Sequence, residues 1–375
     1  METDILIVGC GLSGVVIAER LASQYNKKVL IIDKRDHVGG NCYDYIDTNT
    51  NIRVSKYGAH LFHTNDEEVW EYINKFSKWI RYDHKVLADI DGRYVPIPVN
   101  METINILCEQ NLQTVDETKQ WLSENQVSCK NPNNSEEIAL SRVGKQLYEK
   151  VFLPYTIKQW NIHPKELDKS ILARIPVYFD NNTKYFNDKF QGIPENGYTE
   201  FINSMLNHPN ITIKLNTTYD SIKDTIKYEK LIFTGPIDSY FQDSNLGSLD
   251  YRSLIFKEEV YHDNRYYQPN FVINTPSLDV PTTRIIEYKH LPYHGNSTNP
   301  STIIVKEYPS DIGEPYYPIP NEKNLNLYSK YKKLADNLEN KNIFMIGRLA
   351  NYKYFNMDQA IRNALDYITK ITDSY

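Results

Sequence analysis

The stretch that decides the fold reads Asp4-Ile5-Leu6-Ile7-Val8-Gly9-Cys10-Gly11-Leu12-Ser13-Gly14. Its apolar run, Asp4–Val8, predicts a buried parallel strand, and the residues from Leu12 to Ser23 predict a helix with apolar faces. A second apolar strand is predicted at Val29–Ile32. Strand, helix and strand in this order predict a parallel, right-handed βαβ unit.

The turn inside this unit has the pattern G-x-G-x-x-G, formed by Gly9, Gly11 and Gly14. These glycines allow a tight turn, a close approach of the backbone to a pyrophosphate and close packing of helix on strand. Asp33 ends the second strand at the spacing of a residue that accepts hydrogen bonds from ribose hydroxyls. A glycine-rich turn without a ligand is the alternative, but strand, helix and acid together predict a dinucleotide site.

Three further features favour FAD over NAD as the dinucleotide. A glycine pair, Gly39-Gly40, follows Asp33 closely and is typical of flavoproteins of the glutathione-reductase-like class. An apolar strand from Leu231 leads into Gly235-Pro236, and another from Phe344 leads into Gly347-Arg348. Each could be an ordinary strand end. FAD is long, however, and folds that bind it return to it with distant segments, so the three together predict FAD.

Bulk properties exclude several other classes of protein. The 375 residues predict two or three folding units, and the net charge of −6 argues against a nucleic-acid partner. The four cysteines show neither C-x-x-C spacing nor a metal pattern with histidine, which favours free thiols and predicts no metal site. No run approaches the ~18 apolar residues of a membrane span. We therefore expect a cytoplasmic, soluble protein without a membrane partner.

Beyond the βαβ unit the pattern turns helical from about Trp79. Thr114 and Glu117 form a capping-box signature, and one long helix is predicted from Ser135 to Phe152, ended by Pro154. Strands are then predicted at Ile211–Leu215, Leu231–Thr234, Asn270–Asn274, Thr283–Tyr288 and Thr302–Tyr308. Several of them carry polar residues at alternating positions, which favours an antiparallel sheet. The stretch from Ser310 to Asn324 is predicted to be irregular, Ile343–Ile346 a strand, and the residues from about Asp358 a helix.

The predicted fold class is α/β, with three parts. A discontinuous Rossmann-like FAD-binding domain comprises residues 1–79, 195–246 and 318–375. A helical insertion domain comprises residues 80–153. An antiparallel β-sheet substrate domain comprises residues 154–194 and 247–317.

Six clusters of polar and aromatic residues lie outside the cofactor motif. They run Tyr57–Thr64, Tyr155–Trp160, Ile171–Val177 with Tyr185–Asn187, Asp279–Arg284, Pro315–Ile319 and Gly347–Asp358. Together with Lys189–Pro194, they resemble the UDP-galactopyranose mutases of the bacterial type over nearly the whole chain. The elements Y-T-I-K-Q-W, K-F-Q-G-I-P and D-V-P-x-T-R are specific to that family and are not generic flavoprotein features.

The resemblance implies a redox-neutral interconversion of UDP-galactopyranose and UDP-galactofuranose. The flavin has to be reduced, and its N5 is the nucleophile at the anomeric carbon. No Ser, Cys or Lys nucleophile is then required. The resemblance also implies a homodimer that binds a UDP-sugar.

Roles of individual residues follow from the same resemblance. The catalytic residues implied are Arg174, Arg284, His60 and His63. The substrate residues implied are Arg174, Arg284, Tyr185, Tyr317 and Tyr354 at the diphosphate, Tyr155 and Trp160 at the uridine, and Phe186 and Asn274 as further contacts. The cofactor residues implied are Gly9, Gly11, Ser13, Gly14, Asp33, Lys34, Gly40, Asn41, His60, Leu61, Arg348, Asn356 and Met357. Without the resemblance, each arginine would be interpreted as part of a surface ion pair and each tyrosine as a packing residue.

The chain departs from the family pattern at three positions. Asn161 stands where a glycine follows Trp160, Ala59 stands where proline precedes His60, and Asn356 stands where aspartate precedes Met357. The smaller Ala59 could admit an N-acetyl substituent, so a mutase for UDP-N-acetylgalactosamine or another UDP-hexose stays open. An amine-oxidase-like flavin oxidoreductase and a non-catalytic UDP-sugar-binding relic are the remaining alternatives; retention of both Arg174 and Arg284 argues against them.

Overall fold

The computed structural model describes residues 2–262, 265–294 and 299–372. In chain order its strands are β1 (Glu2–Val8), β2 (Val29–Ile32), β3 (Asp44–Ile46), β4 (Arg53–Ser55), β5 (Phe62–Thr64), β6 (Trp79–Arg81), β7 (Val86–Ile90), β8 (Arg93–Ile97), β9 (Phe190–Pro194), β10 (Ile211–Lys214), β11 (Lys227–Phe233), β12 (Tyr251–Tyr261), β13 (Val272–Asn274), β14 (Arg284–Glu287), β15 (Thr302–Ser310), β16 (Tyr317–Pro318) and β17 (Ile343–Met345).

The α-helices are α1 (Leu12–Tyr25), α2 (Glu67–Ile73), α3 (Met101–Cys108), α4 (Val115–Asn125), α5 (Ser135–Leu147), α6 (Leu153–Trp160), α7 (Ser170–Ala173), α8 (Gly197–Leu206), α9 (Tyr219–Ile222), α10 (Ile237–Tyr240), α11 (Glu322–Glu339) and α12 (Met357–Thr372). In the described part of the chain, no helix is both long and apolar enough to cross a membrane.

A five-stranded parallel sheet forms the first layer, in the order β10-β2-β1-β11-β17. Helices α1, α8 and α12 pack apolar faces against one side of the strands β1 and β2. On the other side, Leu6, Leu30 and Ile32 are buried with Ile226 and Leu231. Strands buried on both faces read as continuous apolar runs, which is what Asp4–Val8 and Val29–Ile32 show. The predicted α/β class and its Rossmann-like unit are confirmed.

A seven-stranded sheet forms the second large unit, in the order β16-β12-β15-β14-β13-β7-β8. All its pairings are antiparallel except the one between β13 and β7, which is parallel. The strands predicted at Asn270–Asn274, Thr283–Tyr288 and Thr302–Tyr308 correspond to β13, β14 and β15. Strand β12, the longest in this sheet, was not predicted, because charged residues interrupt its apolar pattern. The predicted division into three domains stays a prediction.

The residues from Trp79 to Ile97 are not helical, contrary to the prediction. They form β6, β7 and β8. Asp91 and Gly92 both have positive φ at the turn between β7 and β8, which is the backbone conformation of a two-residue hairpin turn. The helical segment therefore begins near Met101. The capping box at Thr114 and Glu117 is confirmed at the start of α4.

The helix predicted from Ser135 to Phe152 is interrupted. Gly144 has φ 76°, and a Cβ there would lie 2.3 Å from the carbonyl oxygen of Asn125, so the chain kinks where α4 packs against it. A π-helical turn follows at Tyr148–Phe152. Pro154 does not end the helix; it lies in the first turn of α6, where its missing N–H costs nothing. The stretch from Ser310 to Asn324, which was predicted to be irregular, contains the short strand β16 and the start of α11.

Candidate active site

The carboxyl ends of four parallel strands meet at one edge of the first sheet. Strand β1 leads into Gly9, β2 into Asp33, β11 into Thr234-Gly235 and β17 into Gly347. Thr234 ties two of these ends together, because its hydroxyl donates to the carbonyl oxygen of Val8 at 2.8 Å. Ligands of open α/β sheets bind outside the carboxyl ends of the strands, so this edge is the candidate cofactor site.

The glycines of the first turn have different tasks. A Cβ on Gly14 would lie 2.0 Å from the carbonyl oxygen of Gly9, and a Cβ on Gly9 would lie 2.0 Å from the hydroxyl of Thr234. A Cβ on Gly11 would meet only the Cα of Gly40, at 3.9 Å. The protein's own packing therefore requires Gly9 and Gly14, whereas Gly11 leaves open space where a ligand's phosphates can approach the backbone. The turn fits a dinucleotide.

A cavity of about 640 Å³ lies against this edge, which is within the range of small-molecule sites. The predicted cofactor residues that line it are Gly9, Gly11, Ser13, Asp33, Lys34, Gly40, Asn41, His60, Arg348 and Met357. Residues from distant parts of the chain thus share one cavity, as the FAD prediction requires.

Asp33 is held in a fixed orientation at this cavity. One carboxylate oxygen accepts from the backbone N–H of Cys10 at 2.7 Å, and the other accepts from the N–H of Arg35 at 2.9 Å. Each oxygen can accept a further hydrogen bond, so the carboxylate is available to ribose hydroxyls. The next residue, Lys34, pairs with Glu314 at 2.6 Å, and both line the cavity.

A second, smaller pocket of about 110 Å³, here called the inner pocket, adjoins the cofactor cavity. Arg348 connects the two, since it lines the larger cavity and its guanidinium lies 5.9 Å from the ring of Tyr317 and 5.7 Å from that of Tyr354. The predicted substrate residues that line the inner pocket are Tyr155, Trp160, Arg174, Tyr185, Asn274, Arg284, Tyr317 and Tyr354.

Arg284 brings one guanidinium charge into the inner pocket. It begins β14, and its Nε donates to Oε2 of Glu307 on β15 at 2.8 Å. Burial alone would lower the pKa of Arg284, but the Glu307 carboxylate together with the phenols of Tyr155 and Tyr317 outweighs burial and raises the pKa well above its ordinary value. Among the described residues the two Nη groups have no hydrogen-bond partner. They remain available for bidentate contact with an anion.

Arg174 brings a second guanidinium into the pocket and packs over the ring of Tyr354. The guanidinium of Arg174 lies 4.3 Å from the centre of the Tyr354 ring. Burial would raise the pKa of the Tyr354 phenol, but the positive charges of Arg174, Arg348 and Arg284 together outweigh burial and lower that pKa. Positive charge therefore surrounds the phenols of the inner pocket, which suits a bound diphosphate.

His60 lies in the cofactor cavity with a defined tautomer. Its Nδ1 is 2.9 Å from the carbonyl oxygen of Gly58, which can only accept, so Nδ1 carries the proton. Burial, with the nearby charges of Arg348 and Arg284, lowers the pKa of His60 to about 4. The ring is thus neutral near pH 7, and its Nε2 is a hydrogen-bond acceptor.

Comparison with known proteins finds relatives over nearly the whole chain. A family model described as UDP-galactopyranose mutase matches residues 150–354, and one described as an NAD(P)-binding Rossmann-like domain matches residues 7–76. The chain is 41% identical over 367 residues to a probable UDP-galactopyranose mutase of Klebsiella pneumoniae, covering 96% of this chain and 93% of that protein. The chain belongs to the UDP-galactopyranose mutase family. It is therefore an enzyme of the isomerase class.

Other relatives show how wide the family is. The chain is 38% identical to the dTDP-fucopyranose mutase of Escherichia coli, over 96% of both chains. The crystal structure of a reduced UDP-galactopyranose mutase superposes with a TM-score of 0.74 over 100% of this chain and 96% of that chain, at 15% identity. The superposition on that crystal structure shows that the two proteins share a fold.

Some predicted residues of this UDP-galactopyranose mutase family member line neither cavity. They are Gly14, Leu61, His63, Phe186 and Asn356. His63 bonds through Nδ1 to Asp188 at 2.9 Å and stacks on Phe186 with ring centres 3.7 Å apart. The two therefore form one packed unit between β5 and β9. Their contacts with ligands stay predictions.

The sequence did not single out Glu307 or His84. Glu307 is 1% exposed and sets the orientation of Arg284, yet in the sequence it is one acid within the β15 strand. The only feature of the sequence that could have indicated Glu307 is a charged residue at an inward-facing position of an apolar strand. His84 is buried beside Tyr185 and Phe186, and its Nδ1 has no hydrogen-bond partner among the described residues. Nothing in the sequence marked it.

Proposed function

We propose that this protein interconverts UDP-galactopyranose and UDP-galactofuranose, with FAD as a cofactor that has to be reduced. One observation carries the proposal. Two guanidinium groups, Arg174 and Arg284, face an aromatic pocket that adjoins a dinucleotide cavity. A diphosphate in the inner pocket would place the sugar between the arginines and the cofactor.

The reduced flavin, when bound, would supply a nucleophilic N5 at the anomeric carbon of the sugar. The chain's residues then have three tasks. Arg174 and Arg284 stabilise the diphosphate as negative charge develops on it during cleavage of the bond to the sugar. Tyr155 and Trp160 provide aromatic faces for uracil. His60, neutral near pH 7, offers Nε2 as an acceptor beside the cofactor and adds no repulsion to the two arginines.

The arrangement of Glu307 supports this division of tasks. Because Arg284 donates to Glu307 through Nε alone, the two Nη groups keep N–H donors that no described residue uses and that can bind a diphosphate. A guanidinium oriented in this way stabilises a leaving diphosphate without reorganisation at the moment of reaction. The carboxylate also offsets part of the cost of desolvating Arg284.

The identity of the sugar nucleotide is tested by a panel of substrates. We expect the protein purified with bound FAD and reduced by dithionite to convert UDP-galactopyranose faster than UDP-N-acetylgalactosamine or dTDP-fucopyranose. The last compound is included because a relative named as a dTDP-fucopyranose mutase is 38% identical. Products are resolved by anion-exchange chromatography. Faster conversion of either other compound would reassign the sugar, and Ala59 would then be the first position to replace, with proline.

FAD, a homodimer and a cytoplasmic location are also proposed. Heat-released cofactor should co-elute with FAD in reversed-phase chromatography and not with NAD or FMN.

The cysteines Cys10, Cys42, Cys108 and Cys129 are free in the structure, which suits a reducing compartment. Light scattering after gel filtration should give twice the chain mass of 43.9 kDa. A monomer mass would contradict the dimer and leave the proposed reaction standing.

A further inference from the structure

Residues from two separate elements line the inner pocket. Tyr155 lies on helix α6, whereas Asn274 ends β13 and Arg284 begins β14. Under the proposed function, Tyr155 contacts the uracil and Arg284 contacts the diphosphate. A nucleoside diphosphate therefore spans both elements, and its affinity depends on how α6 is placed relative to the two strands.

Lys158 bonds these two elements together. It lies on α6 three residues after Tyr155, and therefore on the same face of the helix. Its Nζ donates to the carbonyl oxygen of Thr275 at 2.5 Å and to that of Thr282 at 2.9 Å. Both threonines belong to the loop of residues 275–283, here called the β13–β14 loop. One ammonium group thus holds both ends of this loop against α6.

The ends of the β13–β14 loop are also bonded to each other. The backbone N–H of Thr275 donates to the carbonyl oxygen of Thr283 at 2.9 Å, and its hydroxyl donates to the carbonyl oxygen of Thr282. Asn274 directly precedes Thr275, and Arg284 directly follows Thr283. A displacement at the base of this loop therefore moves both residues that line the inner pocket.

The surroundings of Lys158 favour a positioning role over a surface ion pair. Lys158 is half-buried, and in the described part of the chain it has no carboxylate partner. Burial lowers its pKa to about 8, so the ammonium is still mainly charged at pH 7. Hydrogen bonds from a charged donor are stronger than those between neutral groups. The two bonds can therefore fix the helix against the loop.

We propose that Lys158 is a positioning residue for the substrate: it sets the distance between α6 and the β13–β14 loop, so that one ligand reaches Tyr155 with its uracil and Arg284 with its diphosphate. This inference rests on the proposed function. A ligand that contacts α6 alone does not depend on that distance. Loss of Lys158 should therefore weaken the binding of UDP and leave the binding of uridine, which has no diphosphate, nearly unchanged.

The test compares the dissociation constants of UDP and uridine at pH 7, with the flavin-loaded, oxidised protein. Calorimetry measures UDP, and ligand-observed NMR measures the weaker uridine. Lys158→Met keeps the length of the side chain and removes both bonds. We expect it to bind UDP about tenfold more weakly and uridine within twofold of the unaltered protein. Lys158→Gln can keep one bond and should weaken UDP by about threefold.

Lys289→Met is the matched control. The Nζ of Lys289 donates to the carbonyl oxygens of Asn299 at 2.5 Å and Ser301 at 2.9 Å, so it forms the same pair of bonds as Lys158. Lys289 lines neither the cofactor cavity nor the inner pocket. We expect Lys289→Met to lower the thermal unfolding temperature while UDP affinity stays within twofold of that of the unaltered protein.

Three results would overturn the inference. The first is unchanged UDP affinity in Lys158→Met. The second is an equal loss for UDP and uridine, which indicates general damage to the pocket. The third is an equal loss of UDP affinity in Lys289→Met, which indicates an effect of stability alone. Thermal unfolding shows which variants fold, and Lys158→Gln decides the outcome if Lys158→Met does not.

Turnover by the unaltered protein is measured separately. If the protein binds UDP but converts no UDP-galactopyranose, the proposed function fails, while the role of Lys158 is still decided by the two dissociation constants. If the unaltered protein binds UDP no more tightly than uridine, the diphosphate gains nothing from Arg284, and the positioning role is wrong.

Discussion

At the scale of residues, the site is built around positive charge that the protein neutralises only in part. Arg284 has a buried carboxylate partner in Glu307, whereas Arg174 faces the phenol of Tyr354. A fully paired site would bind an anion weakly, and a fully unpaired one would make the fold unstable. The intermediate arrangement suits a pocket that binds a diphosphate and stabilises it further as it departs.

The first prediction concerns Arg284. Replacing it with alanine removes the guanidinium that would contact the diphosphate, and it leaves the cofactor cavity intact, because Arg284 does not line that cavity. We expect turnover to fall below detection while the flavin absorbance per protein molecule stays within about a tenth of that of the unaltered protein. Retained turnover would mean that the diphosphate binds elsewhere.

The second prediction concerns Glu307. The substitution Glu307→Gln keeps the shape of the side chain but removes the charge that orients Arg284. We expect kcat to fall roughly ten- to a hundredfold, as for misplaced catalytic groups, with the protein still folded. Glu258→Gln on the neighbouring strand β12 is the control, since Glu258 is exposed and accepts from Tyr45. Equal losses in both variants would show that Glu307 has no specific role.

At the scale of elements, the cofactor turn separates packing from ligand contact. Gly14 is needed for α1 to pack on β1, while Gly11 leaves space that the protein itself does not use. Two substitutions of the same size in one turn should therefore have different effects.

The third prediction follows from this difference. We expect Gly11→Ala to leave the thermal unfolding temperature of the cofactor-free protein unchanged and to weaken FAD binding at least tenfold. Gly14→Ala should lower that unfolding temperature, because its Cβ has to displace the backbone of Gly9. Calorimetry of the apoprotein and flavin titration separate the two quantities. If Gly11→Ala bound FAD normally, the phosphates would not lie against this turn.

Elements were predictable from the sequence where local chemistry and packing agree. Strands β1 and β2 and helix α1 were predicted closely, because continuous apolar runs and a glycine turn leave few other structures. The hairpin of β7 and β8 was not predicted, although the residue pair Asp91-Gly92 is typical of its two-residue turn. The break at Gly144 depends on the carbonyl of Asn125, a contact between two helices that no local pattern contains. Most residues of the inner pocket were named from family resemblance, and Glu307 was missed because its role depends on the pairing of β14 with β15.

At the scale of the whole molecule, buried histidines make the fold sensitive to acid. Burial, with the charge of Arg284 next in importance, lowers the pKa of His84 to about 3 from an ordinary value near 6.5. The unfolded chain therefore binds a proton at His84 between pH 6.5 and about 3, where the folded chain does not. Stability from this residue is complete above pH 6.5 and is lost as the pH falls through that window.

The fourth prediction is a loss of unfolding free energy on acidification from pH 6.5. Each pKa unit corresponds to about 1.4 kcal/mol, so His84 alone accounts for a few kcal/mol. Urea unfolding at pH 7, 6, 5 and 4 measures the loss. His84→Gln, which cannot titrate there, should show a shallower decline than the unaltered protein. Parallel declines in the two proteins would mean that His84 is not neutral in the fold.

The central claim is that the two cavities act together, with a reduced flavin facing a sugar whose diphosphate is held by the arginines. The most direct measurement incubates the FAD-loaded protein with UDP-galactofuranose, in one sample oxidised and in another reduced by dithionite, and follows UDP-galactopyranose by chromatography. We expect pyranose to form in the reduced sample only, while the flavin stays reduced throughout. Equal conversion in both samples, or flavin reoxidised by the substrate without any ring isomer, would contradict the claim.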